Sequence, residues 1–273
     1  MKIQQFGLCG FPLEHSLSPY IHHELFCLRN LHHIYELYSQ ESFDDKSGVW
    51  ALDGFNITIP HKQAAPPLLS KLDDTAVIYG AVNTVDCRTK TGYNTDGYGL
   101  MKALGGAGLP LKGRVLVCGA GGTGRMAAML AATNGCFVTV AVRDSGMAAA
   151  VALQSHAAGY GVNIDIVTYG DIGGEFDLLI NTTPVGMYPN PNAAILPEEQ
   201  IARFGGVFDV VYNPSITLLV SNARKAGIPA VNGLAMLVWQ AARAQEIWCG
   251  SSFDEHEINT VIRKTAIKLE AYK

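Results

Sequence analysis

Apolar residues along this chain fall into short runs of two kinds. Residues 5–10 and 54–59 carry strand-like apolar stretches bounded by glycine, proline and polar residues, while residues 19–30 place apolar side chains at helical spacing. A short helical stretch follows at 97–104. Gly105-Gly106-Ala107-Gly108-Leu109-Pro110 then breaks the pattern and is the expected domain boundary. Beyond it, Arg114-Val115-Leu116-Val117-Cys118 is continuously apolar, as expected of a strand buried on both faces. An alanine-rich helix is expected over 125–133, closed by Gly135, and a strand over 137–142. Further strands are expected at 177–181 and 206–211. Helices are expected at 235–248 and 255–273, folding back onto the first domain.

Between the strand ending at Cys118 and the helix opening near Arg125 stands Gly119-Ala120-Gly121-Gly122-Thr123-Gly124. A bare GxGxxG says little, but here a strand precedes it, a helix follows, and a second strand closes a βαβ unit of about thirty residues. In that context Gly119 permits a tight turn, Gly121 lets the backbone approach a pyrophosphate, and Gly124 lets the helix pack close, with phosphates held at the helix N-terminus. The predicted fold class is therefore α/β. It comprises an N-terminal α/β substrate domain (1–104), a Rossmann-type doubly wound dinucleotide-binding domain (105–232), and C-terminal helices (233–273) packing on the first domain. Arg143 and Asp144 stand at the end of the second strand of the unit. Arginine there accepts a 2'-phosphate and aspartate bonds a free ribose hydroxyl, so the pair leaves NADP and NAD both open.

Composition narrows the rest. The chain has 273 residues, 48% hydrophobic and 16% charged, enough for a full core and two domains. Twenty basic and 24 acidic residues give a net charge of −4 with no cationic stripe, which argues against nucleic-acid binding. No signal-like or membrane-length apolar stretch occurs, so a cytoplasmic protein without membrane attachment is expected. The six cysteines include no CxxC pair and are expected to be reduced, buried packing residues. His22-His23 and His32-His33 lack accompanying ligands at metal spacing, so no metal is expected.

Several polar residues invite chemistry. Ser18-Pro19 reads as an N-cap and N1 pair, and Ser16 and Ser18 together can address one anion at the helix end, such as a carboxylate. Lys62 follows a strand and a proline, where a side chain emerges from the scaffold. Asn56, Thr58, Asn83 and Gln240 are polar in apolar surroundings and need partners if buried. Gln240 shares a helical face with Met236 and Leu237. Thr182 and Thr183 open a loop after a strand, the usual place for cofactor contacts in open α/β sheets.

The chain resembles the shikimate dehydrogenase family over essentially its whole length. The resemblance rests on Gly10-Phe11-Pro12-Leu13-Glu14-His15-Ser16-Leu17-Ser18-Pro19, Asn56-Ile57-Thr58-Ile59-Pro60-His61-Lys62, Ala81-Val82-Asn83-Thr84, Gly92-Tyr93-Asn94-Thr95-Asp96, Asn181-Thr182-Thr183-Pro184-Val185-Gly186-Met187 and Gly233-Leu234-Ala235-Met236-Leu237-Val238-Trp239-Gln240, in the family's order. It implies reversible NADPH-dependent reduction of 3-dehydroshikimate to shikimate, in the chorismate route to aromatic amino acids. It pairs Lys62 with Asp96 as the catalytic residues, and assigns Ser16 and Ser18 to the substrate carboxylate. It gives Thr58, Asn83, Asp96 and Gln240 to substrate hydroxyls, brings Tyr212 near the substrate, and places Met187 and Gly233 at the nicotinamide. Asn56 is taken to order its loop, and His15 to be a supporting group. The chain departs from the family at Val142-Arg143-Asp144, where NADP-using members commonly show Asn-Arg-Thr with a further arginine at the place of Met147. A quinate/shikimate dehydrogenase using NAD, and a binding homologue without turnover, remain the alternatives. The partner is the small substrate, and the protein a monomer or homodimer.

Overall fold

The computed structural model describes residues 2–14 and 16–271, so His15 lies outside the described residues. The chain divides into two compact units, one of residues 1–99 with 237–273 and one of residues 100–236. In chain order the elements are β1 (Gln5–Gly10), α1 (Ser18–Leu28), β2 (Ile34–Ser39), β3 (Gly54–Ile57), β4 (Lys71–Leu72), α2 (Asp74–Tyr79), β5 (Thr84–Asp86), β6 (Thr91–Tyr93) and α3 (Asp96–Gly106). There follow β7 (Arg114–Cys118), α4 (Gly122–Thr133), β8 (Phe137–Val142), α5 (Met147–Gly159), β9 (Ile164–Thr168), β10 (Leu178–Asn181), β11 (Val207–Asp209), α6 (Leu218–Lys225), β12 (Ala230–Asn232), α7 (Leu234–Cys249) and α8 (Glu255–Glu270).

The first unit is built on a mixed six-stranded sheet in the order β2-β1-β3-β5-β6-β4. β1 pairs in parallel with both β2 and β3, setting Leu8 opposite Asn56, while β5 runs antiparallel to β3 and sets Asn56 opposite Thr84. One core cluster gathers Cys9, Val49, Phe55, Ile57, Val82 and Val85; another gathers Phe6, Phe26, Ala244 and Trp248. Trp248 of α7 stacks on Phe6 at 4.7 Å and donates its indole N–H to the Val85 carbonyl at 2.9 Å. It passes directly over Gly54, where a Cβ would come within 2.5 Å of the indole nitrogen. The C-terminal helices thus belong to the first unit, and α8 is tied to α1 by Lys264–Glu24 and Arg29–Glu257 ion pairs, both at 2.6 Å.

The second unit is all parallel, in the order β12-β11-β10-β7-β8-β9. This is the doubly wound dinucleotide-binding order, and its reversal point lies between β7 and β10. The continuous apolar runs of its strands follow from burial on both faces: Val115, Leu116, Val117, Leu179 and Ile180 are all fully buried.

Some bounds differ from those read in the sequence. The helix expected at 97–104 begins one residue earlier, on Asp96, and its last turn takes in Gly105 and Gly106. The division between the units falls within this helix, after Gly99, and within α7, after Met236. The strands expected to reach 59 and 211 end at Ile57 and Asp209. Of the six free cysteines, Cys9, Cys118 and Cys136 are buried as expected, but Cys87 and Cys249 are half-buried and Cys27 is exposed on α1, whose outer face it occupies.

Candidate active site

In the first unit, the antiparallel turn of the sheet brings Lys62 and Asp96 together from 34 positions apart. Lys62 sits in a short 3-10 turn after β3, anchored by its own carbonyl accepting the Val82 N–H at 2.9 Å. Asp96 is the first residue of α3, where the helix dipole favours a carboxylate, and its N–H donates to Asn94 Oδ1 at 3.1 Å. Lys62 Nζ donates to Asp96 Oδ2 at 2.6 Å, with the two side chains only 13% and 7% exposed. That exposure leaves the pair reachable from solvent but largely shielded from it, so the contact is stronger than a surface ion pair.

Asn83 fixes the other carboxylate oxygen, donating from Nδ2 to Asp96 Oδ1 at 2.8 Å, while its own Oδ1 accepts from the Thr95 N–H at 2.7 Å and Thr84 Oγ1 at 3.0 Å. Gln240, buried on α7, donates to the Leu237 carbonyl at 2.8 Å and accepts from Thr95 Oγ1 at 3.5 Å. Thr58 lies half-buried just beyond β3, its N–H held by the Cys9 carbonyl at 2.9 Å. Asn56 lies within β3 and donates to the Asn83 carbonyl (3.2 Å), in the segment leading into β5, and to Thr84 Oγ1 (2.9 Å) of β5.

The helix start differs by one residue from the N-cap read in the sequence. Leu17 holds the N-cap position of α1, and Ser18 is the first helical residue with Pro19 behind it. It is the Ser16 hydroxyl oxygen that accepts the Ser18 N–H, at 3.3 Å, because it lies two residues upstream of the first free amide. Ser18 is buried and Ser16 half-buried.

In the second unit, the glycine loop fits a dinucleotide. Gly119 has φ +100°, a left-handed conformation that favours glycine, and Gly124 lies against it so closely that a Cβ would stand 2.2 Å from the Gly119 carbonyl oxygen. A Cβ on Gly121 would meet no heavy atom within 4 Å, leaving open ground before the first turn of α4 for a phosphate to approach the amides. Ala120 is buried beneath the loop; Gly122 and Thr123 form the half-buried first turn. Thr182 follows β10 and is held at the reversal point by Cys118, whose carbonyl accepts both its N–H (3.0 Å) and its hydroxyl (2.6 Å). Thr183 donates to Asn181 Oδ1 at 2.7 Å.

Arg143 and Asp144 are both exposed at the end of β8. Met187 is 44% exposed, and Tyr212 is half-buried with its phenol raised by burial. Gly233 has a reason of its own to be glycine: a Cβ would come within 2.1 Å of the Val210 carbonyl oxygen, so the chain's own backbone demands it before any ring does. No group of three or more His, Cys, Asp or Glu residues able to hold a metal ion occurs among the described residues.

One buried acid was not singled out in the sequence. Asp209 closes β11, fully buried, and accepts from Asn181 Nδ2 (2.9 Å), the Val211 N–H (3.1 Å) and Thr217 Oγ1 (2.6 Å). Burial pushes its carboxyl from 3.8 up to about 6, only partly offset by these three donors. Because the folded-state pKa is raised, the favourable contribution is complete below the unfolded pKa near 4 and is lost as pH rises through about 6. Asp209→Asn keeps the acceptor for Asn181 and Val211 and offers its amide to Thr217. It is expected to remove a pH-dependent loss on the order of 2–3 kcal/mol. The check is the wild-type minus variant difference in urea unfolding free energy between about pH 4 and 8. A constant difference across that range would mean the carboxyl is not perturbed.

A doubly wound parallel sheet with a glycine turn at its reversal point, and a shielded Lys–Asp pair beside buried amides, define the class: a nicotinamide-dinucleotide-dependent oxidoreductase acting on an alcohol. Residues 8–85 match the shikimate dehydrogenase substrate binding domain, and the shikimate dehydrogenase (NADP(+)) of Methanobrevibacter smithii is 38% identical over 269 residues, covering 95% of this chain and 96% of its own. The chain belongs to the shikimate dehydrogenase family. Among solved structures, shikimate 5-dehydrogenase of Thermus thermophilus in complex with NADP(H) and shikimate superposes with a TM-score of 0.82 at 34% identity, covering 96% of this chain and 99% of that one. The Listeria monocytogenes enzyme in complex with shikimate and NAD gives a TM-score of 0.82 at 31% identity over 95% and 96%.

Proposed function

We propose that this chain catalyses the reversible NADPH-dependent reduction of 3-dehydroshikimate to shikimate, in the chorismate route to aromatic amino acids. The observation that carries the reading is the 2.6 Å Lys62–Asp96 contact, shielded from solvent and held in place by Asn83. Lys62 Nζ gives a proton to the alkoxide oxygen in reduction and takes it back in oxidation, with Asp96 holding the ammonium in line and accepting from a substrate hydroxyl. Ser16 and Ser18 take the substrate carboxylate; Thr58, Asn83, Gln240 and Tyr212 orient the ring.

The cofactor when bound supplies the hydride. Gly119, Ala120, Gly121, Gly122, Thr123 and Gly124 hold its pyrophosphate, Arg143 and Asp144 meet the adenosine ribose, and Thr182, Thr183, Met187 and Gly233 serve the nicotinamide side. Residues 1–104 with 233–273 form the substrate part and 105–232 the nucleotide part. The protein works in the cytoplasm as a monomer or homodimer, and the relatives' NADP use supports the same cofactor here. No helix among the described residues is long and apolar enough to cross a membrane.

Absorbance of the reduced nicotinamide, with shikimate or quinate offered in turn with NADP or NAD, tests the reading. Turnover on shikimate with NADP is expected; silence in all four mixtures sinks it. Asp144 favours a second reading with NAD, since an exposed carboxylate there opposes a 2'-phosphate while Arg143 attracts it. Asp144→Ser is expected to raise the NADP over NAD preference in kcat/KM about five-fold, the size of one exposed like-charge contact of roughly 1 kcal/mol. An unchanged ratio would mean Asp144 points away from the ribose.

A further inference from the structure

We propose that Tyr35 is a positioning residue for the proton-transfer pair, the first link of a hydrogen-bond relay running through Asn56, Thr84 and Asn83 to Asp96. The inference rests on the reading of Lys62 and Asp96 as that pair. Tyr35 stands on β2, three strands away from β5 in the sheet order, and nothing in its sequence surroundings marks it. Its hydroxyl nonetheless donates to Asn56 Oδ1 at 2.8 Å.

Proton counting gives the relay a direction. Tyr35 has one hydroxyl proton and gives it to an amide oxygen that can only accept. The Asn56 amide cannot be turned around, because its nitrogen faces the Asn83 carbonyl at 3.2 Å; it therefore donates to Thr84 Oγ1 at 2.9 Å. Thr84 donates onward to Asn83 Oδ1 at 3.0 Å, an orientation fixed by the Thr95 N–H on the same oxygen. Asn83 Nδ2 ends the series on Asp96 Oδ1 at 2.8 Å. Every donation points toward the carboxylate, and hydrogen bonds in one direction polarise one another.

The Tyr35 ring is held as a part with a set place would be. It stacks on the His22 imidazole with centroids 3.9 Å apart and planes 10° from parallel. His22 is fully buried, and burial lowers its pKa to about 3, so the stacking partner is neutral. Gln245 of α7 locks that imidazole, donating from Nε2 to His22 Nδ1 at 3.2 Å and to the His22 carbonyl at 3.0 Å. The relay begins at Tyr35 and ends on the aspartate that aligns Lys62. Removing the Tyr35 hydroxyl leaves Asn56 Oδ1 without its donor, frees that amide to rotate, and loosens the one amide that fixes Asp96 Oδ1.

The test uses Tyr35→Phe, which keeps the stacked ring, together with Thr84→Val, which cuts the relay at another link, and the double variant. Shikimate oxidation with NADP is measured per shikimate-binding site counted by calorimetry, so that misfolded protein does not enter. Each single variant is expected to lose about ten-fold in kcat with the KM for NADP unchanged and that for shikimate within about three-fold, and the double variant to lose no more than either. Singles within two-fold of wild type, or losses that multiply in the double variant, overturn the relay while leaving the function standing. A wild type without turnover on any of the four substrate and cofactor mixtures overturns the functional reading and the relay's role with it.

Discussion

Lys62→Ala is expected to lower kcat for shikimate oxidation by a factor of about 10²–10⁴, the range of one positioned acid–base group. The argument is geometric. Lys62 Nζ lies 2.6 Å from Asp96 Oδ2, and Asp96 Oδ1 is already committed to Asn83, so the ammonium is the proton-bearing group that the arrangement aligns. Alanine removes the proton and also leaves a mostly buried carboxylate with only the Asn83 amide, so some stability is lost and the measurement must be made per binding site. Shikimate affinity by calorimetry is expected to fall less than about ten-fold, because Ser16, Ser18 and Gln240 are untouched, and a few kcal/mol of proton-transfer chemistry is separable from ground-state binding. The result that removes Lys62 from the chemistry is a variant that turns over within ten-fold of wild type. A binding homologue without turnover would show no loss at all, since its wild type would be silent.

Asp96→Asn makes a useful companion. It keeps an oxygen for Lys62 but no charge, and so separates holding the ammonium from merely bonding it. The same contrast explains how far the sequence could be read. Apolar runs such as Arg114–Cys118 and the glycines after them specify their own structure, because burial on both faces and a tight turn leave few alternatives. The Lys62–Asp96 contact was accessible only through family resemblance: 34 residues separate the partners, and their meeting depends on β5 and β6, each three residues long and too short to announce a period. Residues whose role is set by cross-strand register were illegible for the same reason. Asn56 meets Thr84 because β3 and β5 are antiparallel in one particular register, and a slip of one position would turn every such side chain to the other face. Tyr35 lies on an edge strand whose residues alternate in exposure weakly, so its inward hydroxyl gave no pattern to find. The serines show a subtler limit. Ser-Pro is a sound helix-start signal, but the N-cap position shifts by one residue, and here it falls on Leu17 while the Ser16 hydroxyl oxygen accepts the Ser18 N–H.

Two glycines of the dinucleotide loop are expected to respond to the same substitution in opposite ways. In Gly124→Ala the new methyl would stand 2.2 Å from the Gly119 carbonyl oxygen and 2.8 Å from Thr182 Oγ1. The first is backbone, so α4 must move away from the strand that aims it. Overpacking of this kind costs about 1–3 kcal/mol, and the displaced first turn no longer presents its amides where Gly119 turns the chain. The expected result is a lower thermal midpoint together with at least a hundred-fold loss of NADP affinity, a drop of about 2.7 kcal/mol or more in binding free energy. In Gly121→Ala the methyl enters open ground with no atom within 4 Å, and the backbone there, at φ −69° and ψ −177°, is one that alanine adopts freely. Folding stability is therefore expected to stay within about 0.5 kcal/mol of wild type, as for a substitution that meets nothing. NADP affinity should still fall, by about ten-fold or more, because the methyl occupies the space through which a pyrophosphate reaches the helix amides. Thermal unfolding and NADP titration of the two variants side by side separate the roles. If Gly121→Ala bound NADP as tightly as wild type, the open ground before α4 would not be where the phosphates lie, and the loop's part in cofactor binding would have to be reassigned to the threonines after β10.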